Sequence, residues 1–479
     1  MTAHSHLIGR LRRTDGRLAL PGGSRQSRNL ALLMCAAAAA MAALSLTADS
    51  SSRLLLGALA VIQTLGVAAL FATPREGGHG ARWATCTSVV AATWVVLFLL
   101  PAWIYWIDPN QLGVPLSPLA AVALTNLSLF ALVAGHLLSS GGRPRGTRTI
   151  AVTGSRRERQ SLTVGLWFVA AGASLGVIFA LNGGPASYLS NLDDTGRMNA
   201  GLTYVVWMVL TAKYAVISKA VWRWSQGLGL TAVDVGLLVT AFVLIGLVGA
   251  RAFLAIGLIQ LLLGYALVRR PLRLLPVALG VGVALMALVF GYGGLKRYQA
   301  YENANPRSEV SFVTYMRTVV VDEALEAYTQ NYVDAGRTIA LAMNVVPADA
   351  SFEHGKLAVR LALHVIPSPF RPDVRTDPVV SGALRPDPSH PVALPLQVTA
   401  YLQFGTLAVL LCFLLLGVLI RHIDRALASN ALTLSTFVAL LGAVTGGPMI
   451  LRSGVPDGFV VAALDVVGFF VVARTLSRP

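Results

Sequence analysis

Long apolar runs recur between residues 29 and 473, and they constrain the fold of this chain more than any other feature of its sequence. Each run is long enough to cross the hydrocarbon core of a bilayer, about 30 Å thick, as an α-helix. A membrane β-barrel would show short segments of alternating hydrophobicity, and the sequence contains none. We therefore predict an all-α polytopic membrane protein.

Hydropathy predicts about twelve transmembrane helices. The predicted spans are residues 29–48, 53–72, 84–104, 116–138, 162–182, 203–221, 232–249, 252–268, 274–293, 396–419, 430–447 and 456–473. They divide the chain into four parts: a basic cytoplasmic head (1–28), transmembrane helices 1–9 (29–293), one large extracytoplasmic loop (294–395) and transmembrane helices 10–12 (396–479).

The distribution of Lys and Arg predicts how these helices are oriented. Basic residues are concentrated in alternate loops, as in the cytoplasmic loops of membrane proteins. The short loops on the other side hold only Arg53, Arg197, Arg251 and Arg452. Both termini are therefore predicted to be cytoplasmic. A composition rich in Ala, Gly and Arg is typical of a high-GC bacterium, so we expect the bacterial cytoplasmic (inner) membrane.

The formal net charge of +16 raises the question of a nucleic-acid partner. The basic residues lie in short loops between helices, where membrane orientation requires them, so no nucleic acid is predicted as a partner. The cysteines Cys35, Cys86 and Cys412 all lie inside apolar runs. They form neither a disulfide framework nor a metal-ligand spacing.

The 294–395 loop has two halves of different character. Apolar and aromatic residues recur at helical spacing from Phe312 to Tyr332, which predicts an amphipathic helix on the membrane or over the bundle. From Pro367 to Pro395 the prolines are so frequent that we predict an extended, irregular segment without regular helix or strand.

Three outward arginines on separate short turns are candidates for an anion site. Gly249-Ala250-Arg251 forms a tight turn that places Arg251 against the N-terminus of the next helix, where free N–H groups and a guanidinium together favour an anion. Arg197 and Arg452 lie on other outer turns. A lipid-linked phosphate or pyrophosphate is the ligand that fits such a pocket. The alternatives are contact of the arginines with phospholipid headgroups, a surface ion pair of Arg197 with Asp193 or Asp194, and an anionic-lipid patch without chemistry.

Ionisable residues within the predicted spans are few. Lys213 and Asp465 lie in the middle of their spans, and Asp234 lies near a helix end. We predict that Lys213 and Asp465 form a structural pair between two helices. The alternative is a proton or ion relay, which would indicate a transporter.

Three stretches between residues 180 and 420 resemble the Wzy-type O-antigen polymerases, also called oligosaccharide repeat-unit polymerases. Gly249-Ala250-Arg251-Ala252-Phe253-Leu254 resembles a Gly-Ser-Arg turn of that family, with alanine in place of serine. Tyr292-Gly293-Gly294-Leu295-Lys296-Arg297-Tyr298 resembles the entry into the family's large outer loop, and Thr399-Ala400-Tyr401-Leu402-Gln403-Phe404-Gly405 resembles the return from it. The interval from Arg371 to Gly382 also satisfies the family's Arg-x10-Gly pattern.

The resemblance implies a membrane glycosyltransferase (GT-C-like) bundle that polymerises repeat units carried on undecaprenyl pyrophosphate, without a metal or another cofactor. Arg251, Arg197, Arg452 and Arg371 would bind the pyrophosphate, whose charge grows as it departs. A loop residue would accept the proton of the acceptor hydroxyl, and the candidates are Glu323, Asp322, His364 and His390.

Expected partners are the undecaprenyl-pyrophosphate-linked oligosaccharide, membrane lipids, and a chain-length regulator or flippase. The sequence leaves three alternatives open: an O-antigen ligase-like transferase with a different acceptor, a transporter or flippase of an amphipathic anion, and a non-catalytic scaffold of the cell envelope.

Overall fold

The computed structural model is helical throughout the part of the chain that it describes, and those residues contain no strand. The described residues are 53–72, 85–107, 118–139, 157–190, 202–248, 251–269, 335–363, 378–384, 394–428 and 432–477, with a few single positions elsewhere. The fold class predicted from hydropathy, an α-helical polytopic membrane protein, is confirmed for these residues.

Fourteen helices are numbered in chain order within the described residues. They are α1 Arg53–Ala72, α2 Cys86–Ile107 with a π-helical turn at Val95–Leu99, α3 Pro118–Leu138, α4 Arg157–Leu181, α5 Pro185–Ser190, α6 Thr203–Ser225, α7 Ala232–Leu247, α8 Arg251–Arg269, α9 at 335–345, α10 Lys356–Leu363, α11 Pro378–Leu384, α12 Leu396–Leu427, α13 Leu434–Ser453 and α14 Phe459–Ser477.

Eight of the described helices are long and apolar enough to cross a membrane: α1, α2, α3, α4, α6, α12, α13 and α14. The apolar helices α7 and α8 are shorter. Together these ten helices coincide with ten of the twelve predicted spans. Within the predicted span 29–48 only a few positions are described, all helical, and the span 274–293 lies outside the described residues. The number twelve therefore stays a prediction.

Contacts between helix ends give the bundle two faces. At one end, Asp424 near the end of α12 accepts hydrogen bonds from the backbone N–H groups of Cys86 (2.6 Å) and Thr87 (3.2 Å) at the start of α2. At the other end of α2, the Tyr105 ring packs against Gly336 of the 294–395 loop. We call the end that contacts this loop the loop face and the other end the opposite face. Charge distribution predicts that the opposite face is cytoplasmic.

Glycines allow a close approach between the backbones of α3 and α12. A Cβ at Gly135 would collide with the carbonyl of Leu414, and one at Gly417 would collide with the carbonyl of Leu132. Small residues at helix interfaces are typical of membrane bundles, where van der Waals contact between backbones takes the place of a hydrophobic driving force. This contact places α12 against the most deeply buried helix, α3.

The loop segments in the described residues pack on the loop face. Residues of α9 such as Ile339 and Ala342 are buried, and the Tyr401 hydroxyl of α12 donates a hydrogen bond of 3.0 Å to the Val346 carbonyl that follows α9. Of the predicted amphipathic helix between Phe312 and Tyr332, only two positions are described, 313 and 314, both helical.

The prediction that residues from Pro367 to Pro395 contain no regular helix is wrong at α11, Pro378–Leu384. Proline has no N–H group, but the first residue of a helix does not need one, and proline's fixed φ angle suits that position. Pro378 opens α11, and the next proline in the chain, Pro386, comes after the helix has ended. Proline frequency alone therefore could not exclude a two-turn helix.

Candidate functional site

Helix α12 is broken near its start, at Phe404 and Gly405. Phe404 has φ −150° and ψ 31°, and Gly405 has φ 67° and ψ −151°, a conformation open almost only to glycine. The eight residues before the break, 396–403, are all buried. After it, exposed leucines recur every fourth residue at Leu407, Leu411, Leu415 and Leu419. The break therefore separates a segment enclosed by protein from a helix with a lipid-facing stripe. The sequence had predicted one continuous helix here.

A short segment of the loop satisfies the backbone groups that this break leaves free. The N–H of Glu353 donates to the Leu402 carbonyl (2.8 Å), and the N–H of His354 donates to the Gln403 carbonyl (3.2 Å). In an unbroken helix these two carbonyls would accept from residues four positions later. We call residues 351–357, which run across the break, the loop strap.

Gln403 fixes the loop strap through its side chain. Its Oε1 accepts hydrogen bonds from the N–H groups of Gly355 (3.0 Å) and Leu357 (3.2 Å), and its Nε2 donates to Glu353 Oε2 (2.7 Å). The other carboxylate oxygen of Glu353 forms an ion pair with Arg360 of α10. Glu353 is 4% exposed, so this charge is compensated inside the protein by one cation and one amide.

His354 is held on the surface in a strained conformation. It is the non-glycine residue with positive φ (43°) in the described part of the chain, and its side chain is exposed. Its ring lies 6.2 Å from the Phe352 ring and 5.6 Å from the Phe404 ring, measured between centroids. Strained residues persist only where their surroundings hold them, and they cluster at functional sites. This makes His354 a candidate that the sequence did not single out.

A second glycine-dependent break lies beside the first. α13 ends at Ser453, and Gly454 (φ 57°, ψ −149°) begins a π-helical turn, Gly454–Gly458, that leads into α14. A Cβ at Gly454 would lie 2.6 Å from Thr399 Oγ1 in the buried start of α12. Helix α10 contacts this turn. Arg452, exposed, stands two residues before it.

Helix α8 begins at Arg251, one residue before the predicted span 252–268. The Arg251 side chain is not described, but two contacts define how α8 runs along α13. A Cβ at Gly264 would lie 3.2 Å from Leu441 Cδ1, and Gln260 Nε2 donates to Thr445 Oγ1 at 2.7 Å. From the first contact to the second, the position on α8 decreases by four residues, from Gly264 to Gln260, while the position on α13 increases by four, from Leu441 to Thr445. The helices are antiparallel with one constant register.

This register brings two of the predicted arginines to the same height. Counting nine residues from Gln260 toward the start of α8 gives Arg251. Counting nine residues from Thr445 toward the end of α13 gives Gly454, the first residue after that helix. Both advance about 13 Å at the α-helical rise of 1.5 Å per residue. The start of α8 is therefore level with the Gly454 turn, and Arg452 stands beside that turn on the loop face.

The other predicted site residues lie outside the described residues, and their predicted roles stay predictions. They are Arg197, Arg371, Glu323, Asp322, His364 and His390. Of the eight predicted positions, only Arg251 and Arg452 can be located in the fold.

The predicted pair of Lys213 and Asp465 is confirmed, deep in the bundle. Lys213 Nζ lies 3.0 Å from Asp465 Oδ1, and the lysine is fully buried. Tyr214 donates its hydroxyl to Asp465 Oδ1 (2.6 Å), and Gln260 donates its Nε2 to Asp465 Oδ2 (2.8 Å) as well as to Thr445. We call Lys213, Tyr214, Gln260, Thr445 and Asp465 the buried polar cluster.

Asp234 is separate from that cluster and lies at the opposite face. It forms a capping box with Thr231 at the start of α7, and ion pairs with Lys219 (3.0 Å) and Arg223 (3.2 Å) near the end of α6. These contacts give it a structural role in joining α6 to α7. Among the described residues, no three His, Cys, Asp or Glu side chains are grouped to hold a metal ion.

Sequence reasoning missed three residues of the loop face: Glu353, His354 and Gln403. A weak signal was present, because Gly405 interrupts an apolar run at the position where the chain returns from the loop. Nothing in the sequence indicates that Glu353 and Gln403, 50 residues apart, are hydrogen-bonded to each other. Comparison with models of protein families, with curated proteins and with solved structures finds no match to this chain.

Proposed function

We propose that the protein polymerises lipid-linked oligosaccharide repeat units at the outer face of the bacterial cytoplasmic membrane. In this reaction the hydroxyl of an acceptor sugar attacks the anomeric carbon of a glycan held on undecaprenyl pyrophosphate. The carbon–oxygen bond to the pyrophosphate breaks, a base takes the hydroxyl proton, and undecaprenyl pyrophosphate leaves. The proposal rests on the sequence resemblance and on one structural observation.

That observation is the common height of Arg251 and Arg452 at the loop face. The helix start at Arg251 offers free N–H groups, which attract anions together with the guanidinium. Arginine binds phosphate oxygens through two parallel hydrogen bonds, and a low-dielectric surrounding strengthens them. Lys356 of α10 is exposed and adds positive charge on the same face, and α10 contacts the Gly454 turn. A departing pyrophosphate is the anion that such a site would stabilise most as its charge grows.

The base would come from the loop. Glu323, Asp322, His364 and His390 remain the candidates from the sequence, and the geometry adds His354. An imidazole nitrogen can accept a proton, and histidine is the side chain that most often acts as a general base. The loop strap holds the His354 ring exposed on the loop face, beside Phe404 at the top of the lipid-facing stripe. An acceptor sugar above a membrane-embedded carrier would pass at this height.

The buried polar cluster favours a transferase over an ion-coupled transporter. The Asp465 carboxylate is neutralised by Lys213 and hydrogen-bonded by Tyr214 and Gln260, all within one shell of side chains. Such pairing is what a structural ion pair in a membrane requires, and among the atoms of the cluster Gln260 Oε1 is buried without a hydrogen-bond partner in the described residues. An ion relay would need a chain of such groups leading to both faces.

The test is the chain length of lipid-linked glycans in cells whose chromosomal copy is deleted and replaced by variants. We expect single repeat units to accumulate on the carrier in the deletion strain and in Arg251→Ala, with polymer formation reduced about 10²-fold or more, as when one stabilising donor is removed from a transition state. Arg53→Ala is the matched control, because Arg53 also opens a helix at the loop face and is exposed.

Two further results would decide the chemistry. If Arg251→Lys restores normal chain length, bidentate phosphate binding is not the role of this arginine. Purified protein given only lipid-linked repeat units separates polymerase from ligase. A polymerase lengthens the glycan on the carrier, whereas a ligase requires a different acceptor molecule. Unchanged chain length in Arg251→Ala would refute the assignment.

A further inference from the structure

The buried polar cluster joins four helices at one point of the bundle interior. Lys213 and Tyr214 belong to α6, Gln260 to α8, Thr445 to α13 and Asp465 to α14. Lys213, Gln260, Thr445 and Asp465 are each at most 3% exposed. Gln260 is the member that ties α8 to the other three helices, because its amide nitrogen donates to both Thr445 Oγ1 (2.7 Å) and Asp465 Oδ2 (2.8 Å).

The orientation of this amide follows from its partners. A carboxylate only accepts hydrogen bonds, so the group facing Asp465 must be the NH2 end of Gln260. Both of its hydrogens are then used, one toward α13 and one toward α14. Such a double contact allows a single position of Gln260 along its two neighbours.

The other contacts of α8 in the described structure are mostly apolar. Phe253, Gly257 and Gly264 lie on the same face as Gln260 and pack against α6, α7 and α13, and the Phe253 ring also lies 5.3 Å from Lys213 Nζ, measured to the ring centroid. A Cβ at Gly257 would lie 2.8 Å from Phe242 Cε1 and 3.2 Å from Lys213 Cδ. Apolar packing inside a bilayer has no hydrophobic penalty against sliding by one turn, since lipid tails are as apolar as the side chains.

We infer that Gln260 is a positioning residue: through Thr445 and the Lys213–Asp465 pair it sets the height of α8 against α13, and so holds Arg251 level with Arg452. A slip of one helical turn would move the start of α8 by about 5.4 Å and separate the two arginines. The expected effect on polymer formation rests on the proposed role of these arginines. The inference that Gln260 sets the register of α8 does not depend on that role.

Chemical cross-linking measures the register directly. Ala252 and Ser453 are at the same height in the observed register, and Met449 is one turn below Ser453 on α13. In a background without Cys35, Cys86 and Cys412, the pair Ala252→Cys/Ser453→Cys should cross-link with a short bifunctional thiol reagent more readily than Ala252→Cys/Met449→Cys. Introducing Gln260→Leu should lower the ratio of these two yields about fivefold, the effect of one interhelical hydrogen bond in a membrane.

Gln63→Leu is the matched control, because Gln63 is also a fully buried glutamine in a transmembrane helix and does not belong to the cluster. It should leave the ratio unchanged. Thr445→Val, which removes one of the two acceptors, provides a second variant if Gln260→Leu is not retained in the membrane, and it should lower the ratio in the same direction.

The outcomes separate the register from the proposed function. The inference is wrong if, with Gln260 present, the 252–453 cysteine pair does not cross-link more readily than the 252–449 pair. It is also wrong if the ratio of the two yields stays the same in a Gln260→Leu protein that is inserted in the membrane. If the ratio falls and glycan chain length falls with it, both proposals are supported. If the ratio falls while chain length stays normal, the register is set as inferred and the role of the two arginines is refuted.

Discussion

The buried polar cluster and the loop strap both neutralise a buried carboxylate, but they do so by different means. Asp465 is contacted by side chains from two other helices, α6 and α8, and Lys213 beside it has no exposed surface. Glu353 is held by one amide and one cation, and its segment is attached largely through backbone N–H groups. The first arrangement pairs both oxygens of its carboxylate inside the bundle and leaves Gln260 Oε1 buried without a partner in the described residues. The second leaves His354 and Lys356 exposed at two helix breaks.

The difference indicates where chemistry can take place. Inside a bilayer an unsatisfied polar group is costly, and both oxygens of the Asp465 carboxylate already accept hydrogen bonds from Lys213, Tyr214 and Gln260, which leaves the carboxylate little capacity for a ligand. At the loop face water and substrate are accessible, and irregular backbone is tolerated because the protein itself covers it. Four substitutions test this contrast, in order of decreasing expected effect.

The largest effect is expected from Asp465→Leu, which leaves Lys213 buried without its counter-ion. Breaking one side of a buried ion pair costs about 3–5 kcal/mol, whereas replacing both partners with apolar residues is often neutral. The amount of protein in the membrane and its unfolding temperature in detergent should therefore fall sharply in Asp465→Leu and recover in Lys213→Met/Asp465→Leu. A double variant as unstable as the single one would contradict a purely structural pair.

Gly454→Ala should have the next largest effect, because the glycine conformation and its neighbours both exclude a side chain. The new Cβ would lie 2.6 Å from Thr399 Oγ1 and 2.8 Å from the Leu394 carbonyl. Strain of this kind costs about 1–3 kcal/mol. We expect lower thermal stability and loss of polymer. Gly172→Ala in α4, where nothing lies within 4 Å, is the control and should be neutral or slightly stabilising.

Gln403→Leu should release the loop strap without unfolding the bundle. It removes an acceptor for two backbone N–H groups and a donor to Glu353, each loss costing about 1–3 kcal/mol where the partner stays buried. Thiol labelling of a cysteine placed at His354 should become faster, while the unfolding temperature of the transmembrane helices changes little. Equal labelling rates with and without Gln403 would show that other contacts hold the strap.

The smallest effect on stability is expected from His354→Gly, and its sign is opposite. Glycine adopts positive φ without the steric cost of a Cβ, so stability should rise by up to about 1 kcal/mol. If the imidazole is the base, polymer formation should nevertheless fall about 10²-fold or more. Full activity in His354→Gly would exclude this histidine as the base. The candidates for the base would then be Glu323, Asp322, His364 and His390.

The helices were predictable because membrane insertion is governed by local hydrophobicity. A run of about 20 apolar residues must satisfy its own backbone hydrogen bonds, so the sequence determines a helix there without reference to other parts of the chain. The start of α8 was predicted to within one residue in the same way, and so was the pairing of Lys213 with Asp465. Two opposite charges in hydrocarbon have few other partners.

The breaks in the helices depended on tertiary structure. The apolar pattern continues through Phe404 and Gly405, and hydropathy does not report a φ angle. The break is stable because a segment 50 residues earlier in the chain supplies N–H groups to the Leu402 and Gln403 carbonyls. The helix at Pro378 was missed for a related reason: proline frequency describes the interior of a helix, not its first residue.

The sequence by itself therefore determined the class of the protein, the positions of ten described apolar helices and the charges that line their ends. Only the tertiary structure decided which charges meet. The height of Arg251 beside Arg452 depends on Gln260 and Thr445, and the exposure of His354 depends on Gln403. Local hydrophobicity is a property of one segment, whereas each of these contacts is a hydrogen bond between segments far apart in the chain.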